Sequence, residues 1–328
     1  MSHAVRIPHP DDARFGASRG DDLGPATSDK PLLKQPHWGA TVTTYLFLGG
    51  IMGGLGILQA LCNPRDESMR KLRRSTRIAS FVLASVNPLI LISHLGRPER
   101  FLHMMRIAKL KSPMSVGVWG LVLYSGVAGA NVIREFSESG FLPRWMKYTI
   151  PQPLTQVQAF LGAFIAGYTG VLLSATAIPL WGAGKRHIPA ASLASGVAGA
   201  CALASLISLI EGNHAISKKT ERLEILASAL EFVILKDFER ISGVYGQPMF
   251  QGAQGKRLQD MTFVAGIAAP TALNLLGQVI RLPQPVDSLR ILLSSTLTLI
   301  GGYILRQTLI ESGKVSARIR QTAIIQPT

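Results

Sequence analysis

The residues best suited to chemistry lie in one segment, His94 to Ser115, which reads HLGRPERFLHMMRIAKLKSPMS. The imidazole of His94 exchanges protons near neutral pH. Arg97, Arg100, Arg106, Lys109 and Lys111 stand against Glu99 alone, so the segment is cationic. Gly96 and Pro98 break a preceding helix. His103, Met104 and Ile107 then give a short amphipathic helix, and Pro113 restarts the chain with Ser112 or Ser115 as N-cap. Such a segment is either a docking platform for a partner or an interfacial helix whose arginines reach lipid phosphates.

A second group of ionisable residues lies within apolar surroundings. Glu224 and Glu231 fall two turns apart on roughly one helix face, and Arg306 lies inside another apolar run. Charges inside a bilayer are costly and often functional. These three are candidates for a proton path, or for a structural ion pair such as Glu231 with Arg306. Thr262, Thr271, Asn274 and Gln278 make a nearby run polar enough to extend such a network or to tie helices together.

The surroundings are set by composition. Of 328 residues, 47% are hydrophobic and only 16% charged, against about a quarter charged in soluble chains. The charges cluster between long apolar stretches, the pattern of membrane spans and loops. The 32 glycines suit close helix packing. The formal net charge of +15 belongs mostly to residues flanking apolar runs, so it reads as headgroup contact and not as a nucleic-acid surface. Two cysteines, Cys62 and Cys201, cannot build a disulfide scaffold or an iron–sulfur site by themselves. The histidines all fall outside the middles of the apolar runs, so paired haem ligands are not expected and no metal is assigned to this chain.

These runs predict an all-α membrane protein with about eight transmembrane helices. They cover about Thr41–Leu61, Ile78–Leu95, Ser115–Ile133, Gln156–Trp181, Ile188–Ile210, Leu223–Leu235, Met261–Ile280 and Leu289–Ile310. The sixth is too short to cross on its own, or is a helix shielded from lipid. Residues 1–37 form a polar extension without the apolar stretch of a cleavable signal, so the first span is expected to direct insertion. The rest divides into a four-helix unit over 38–182, another over 183–312, and a polar tail over 313–328. Lys and Arg slightly favour the side bearing the termini, which the positive-inside rule places in the cytoplasm.

The string HLGRPERFLHMMR, followed by KSPMSVGVW, resembles the hallmark of the NrfD family, the membrane subunits of polysulfide reductase, nitrite reductase and related oxidoreductases. YLFLGGIMGG (Tyr45 to Gly54), GYTGVLLSATAIPLW (Gly167 to Trp181) and GGYILRQTLIESGKVSA (Gly301 to Ala317) resemble the family's first, fourth and closing helices, in the right order. One departure is His94, where many relatives carry an acid.

The resemblance implies two four-helix bundles in the inner (cytoplasmic) membrane and a quinone site in the N-terminal one. It also implies an attached iron–sulfur subunit, and through it a catalytic subunit of molybdopterin or haem type. The quinone would be menaquinone or ubiquinone. Tyr45 and Tyr168 match the quinone-contacting positions, with Thr169 beside the second. His94 either exchanges protons with the quinol or caps the second span. Arg97 meets the quinone or the partner, and Arg100, His103 and Arg106 join it in docking. The chain is then the quinone-reactive subunit of an enzyme complex and not an enzyme alone. Two rivals remain at this point: a secondary transporter, for which Asn87-Pro88 would break a helix, and a purely structural anchor.

Overall fold

The computed structural model describes residue 36 and residues 38–317, except 63–65, 95–98, 100–102, 104, 105, 107, 110, 144, 150 and 152. The side chains of residues 68, 94 and 214–216 also lie outside that description. All regular structure among the described residues is helical. The long helices are α1 (Ala40–Leu61), α2 (Glu67–His94), α3 (Pro113–Glu138), α4 (Leu154–Ser174), α5 (His187–Ile210), α6 (His214–Phe250), α7 (Gly252–Val279) and α8 (Gln284–Ser316). Short helices at Met146–Thr149 and Pro179–Ala183 lie in connections.

Seven of the eight long helices are long and apolar enough to cross a membrane; α6 is not. The expected eighth crossing is therefore not carried by hydropathy. α6 has 37 residues, far beyond the apolar run 223–235, because Glu221, Glu224 and Glu231 face protein and find partners there. A kink at Gly243, whose φ of 49° suits a residue without a side chain, divides it.

The start of α3 is fixed locally. Ser112 is its N-cap, the Ser112 hydroxyl accepts from the Ser115 amide, and Pro113 takes the first helical position. α2 continues through Pro88 to His94 without breaking. In α7 the middle, Leu258–Ala268, is π-helical. This stretch ends just before Pro270, which has no N–H to give the preceding turn. α8 runs to Ser316, into the stretch read from sequence as tail.

α1 is the central element. It packs on α2, α4 and α5, and also touches α8. Gly53 meets Gly162 of α4 and Gly54 meets Gly196 of α5 so closely that a side chain at either would run into backbone. The N- and C-terminal halves are thus joined as tightly through α1 and α5 as α1 is to α2 within the first half. At one end of the molecule Trp38 stacks on the buried Trp181, ring centroids 5.2 Å apart, and Trp181 Nε1 donates to the Leu309 carbonyl at 2.9 Å.

Candidate functional site

Tyr45 on α1 and Tyr168 on α4 are far apart in sequence and line one narrow cleft. Apart from Thr41 on α1 its other walls are apolar, among them Ile90 and Leu91 near the end of α2, Met114 and Val118 on α3, and Leu172 on α4. The cleft holds about 70 Å³. Beyond the Tyr168 ring lies a second apolar hollow of about 370 Å³, bordered by Lys111, Pro113, Phe164, Val171 and Pro189. Tyr168 stands between the two.

Its position is tightly set. The ring lies against Gly117, where a Cβ would fall 2.1 Å from the ring, and it stacks on Phe164 with centroids 5.6 Å apart. The Tyr168 hydroxyl donates to the Pro113 carbonyl at 2.5 Å, so the oxygen is left to accept. The Tyr45 hydroxyl has no hydrogen-bond partner among the described residues. The cleft therefore offers apolar walls with one phenol oxygen ready to accept and one hydroxyl free to do either.

The other expected site residues are placed as follows. His94 is the last residue of α2, at the cleft end of the molecule, with its side chain outside the described set. Arg97 and Arg100 lie outside the described residues. His103 and Arg106 are helical and exposed, and His103 Nδ1 lies 2.8 Å from the Glu99 carbonyl oxygen. Thr169 is buried, but it faces Gly49 of α1 and donates to the Ala166 carbonyl, so it does not line the cleft. Gly170 packs against Ile188 and Pro189 and leaves no opening for a ring.

Between α6 and α8 the buried ionisable residues form a polar file. Glu221 pairs with Arg290 at 2.9 Å, and Arg290 also reaches Asp287 at 2.8 Å. Thr298 donates to Glu224 at 2.7 Å. Arg306 donates to the Ser195 hydroxyl at 2.5 Å and to the Ser192 carbonyl at 3.1 Å, with Ser195 also within reach of Glu231. Glu231 and Arg306 thus interact through Ser195 and not as a direct ion pair. One oxygen of Glu231 and the Nε of Arg306 are buried without a partner.

The sequence reading missed the Glu221–Arg290 pair, because both lie near the ends of apolar runs. The usable signal was only that Arg290 and Arg306 both fall within the stretch that became α8. It missed a polar core in the first half as well. Arg77 and Glu135 form a buried ion pair at 2.7 Å, with Thr155 accepting from Arg77 at 2.9 Å. Above it, Asn131 donates to Gln158 (2.6 Å), Gln158 to Ser80 (3.0 Å) and Tyr124 to the Met52 carbonyl (2.5 Å). With that proton committed, Ser80 is the donor in its 2.7 Å bond to Tyr124.

Among the described residues, no three His, Cys, Asp or Glu side chains converge as a metal site. A multi-pass helical membrane protein with an apolar, tyrosine-lined cleft at one end is the class these features define. Its family is given by comparison: the model of polysulphide reductase, NrfD, matches residues 31–317, so the chain belongs to the NrfD family. No curated protein matches the chain. Membership is consistent with a membrane subunit of a redox complex.

Proposed function

We propose that this chain is the quinone-reactive membrane subunit of a multi-subunit oxidoreductase, set in the inner membrane, with α6 as its eighth crossing. The observation that carries the reading is that Tyr45 and Tyr168 border one apolar cleft at the end of α2 and the start of α3. A quinone or quinol bound there would exchange electrons and protons with the complex. Tyr45 and the free lone pairs of Tyr168 would hold its oxygens, and Ile90, Leu91 and Val118 would enclose the ring. The cleft is tight, and Met114, unbranched and 42% exposed, is the side chain that turns aside to admit the head. His94, at the end of α2 beside this cleft, would take up released protons. Arg97, Arg100, His103 and Arg106 would dock an acidic face of an iron–sulfur subunit, which passes electrons on to a catalytic subunit of molybdopterin or haem type.

Proton transfer through the second half is part of the same reading. Glu224, Glu231 and Arg306 lie in a buried polar file with unpartnered atoms, which is what supports a path there. The test is quinol turnover by the intact complex. Tyr45→Phe and Tyr168→Phe should each lower turnover about tenfold, the worth of one hydrogen bond of about 1.4 kcal/mol. His94→Ala should lower it about a hundredfold, as for a lost proton acceptor. Unchanged turnover in all three would leave a passive anchor.

A further inference from the structure

On the membrane face opposite the tyrosine cleft, α1 ends, α2 begins, α3 ends and α4 begins. Between these four ends lies a cavity of about 600 Å³. Gln59, Arg73, Arg77, Arg134, Glu138 and Thr155 line it. Arg77 is bound to Glu135, and Arg134 Nε to Glu138 at 2.9 Å. Arg73 has no ion-pair partner among the described residues, so one positive charge is left over. The Nε atoms of Arg73 and Arg77, one helical turn apart, are both buried without a hydrogen-bond partner. The Arg77 side chain is only 4% exposed. Buried guanidinium donors are normally satisfied, and two converging on one cavity call for an acceptor.

The cavity's level in the membrane indicates what that acceptor is. The adjoining α3–α4 connection presents Trp145 and Tyr148, 64% and 80% exposed, as aromatic residues do at the headgroup boundary. On the outer surface of α4, Val157 and Phe160 are exposed and apolar, a surface for an acyl chain. Basic pockets between membrane helices take anionic lipid headgroups. We propose that this cavity binds the phosphate of an anionic phospholipid, with Arg73 and Arg77 donating to its oxygens. A phosphodiester carries one negative charge and so matches the single excess cation. The site rests on the membrane reading and not on the quinone reading.

The test uses the full chain, stripped of lipid in detergent and titrated while intact-mass spectra are recorded. Phosphatidylglycerol should occupy one saturable site at least tenfold more tightly than phosphatidylcholine. Arg73→Gln should weaken it about tenfold, while Arg74→Gln, on the exposed side of the same helix, leaves it unchanged. Glu138→Gln removes a negative wall and should tighten binding about threefold, a gain that misfolding cannot produce. Equal binding of the two lipids, or equal loss in Arg73→Gln and Arg74→Gln, overturns the proposal, as does no tightening in Glu138→Gln. Inorganic phosphate is the third arm. Arg73-dependent phosphate binding without lipid binding would make this a free-anion site and overturn the lipid assignment.

Discussion

At the scale of single residues, Gly117 is as informative as either tyrosine. It leaves the space in which the Tyr168 ring lies, and a methyl group there would collide with that ring at 2.1 Å. Gly117→Ala should therefore displace Tyr168 and lower quinol turnover about as much as Tyr168→Phe, with helix content by circular dichroism unchanged. Unaltered turnover would mean that the ring's seat is irrelevant to activity. Tyr45 and Tyr168 were legible in the sequence only through the family pattern, since nothing in spacing joins residues on α1 and α4. Thr169 was drawn in by adjacency to Tyr168. One helical residue on, its side chain is turned by about 100° and lies against Gly49 of α1 instead of in the cleft.

Among the elements, the buried charges decide which helices need one another. Removing one partner of a buried pair leaves a bare charge at a cost of about 3–5 kcal/mol, whereas replacing both with apolar residues is often nearly neutral. Arg77→Met alone should thus lower the melting temperature of the purified protein by several degrees, and Arg77→Met with Glu135→Leu should recover most of it. Additive losses would show that the pair is not coupled. Arg290→Met should act likewise through Glu221, loosening α6 from α8. Hydropathy placed seven of the long helices because their apolar runs are unbroken. It cut α6 to a fraction of its length because the acids facing α8 look, in one dimension, like residues facing water. The π-helical turn of α7 was hidden too, since it depends on how Pro270 and the Gly266–Gly301 contact settle between helices.

For the whole molecule, α1 is the seam. The contact of Gly54 with Gly196 leaves no room for a side chain, and it sits where α1 of the first half meets α5 of the second. Gly54→Val should force these helices apart and destabilise both halves together, read as a lowered melting temperature of the intact protein. A change confined to the first half, seen by limited proteolysis, would show the halves to be independent. The central claim is that the tyrosine cleft receives a quinone, and photolabelling with an azidoquinone tests it most directly. In the native complex the label should attach to peptides bearing Tyr45, Met114 or Tyr168, and excess unlabelled quinone should displace it. Label that resists displacement, or that falls only on α5 to α8, would contradict the account.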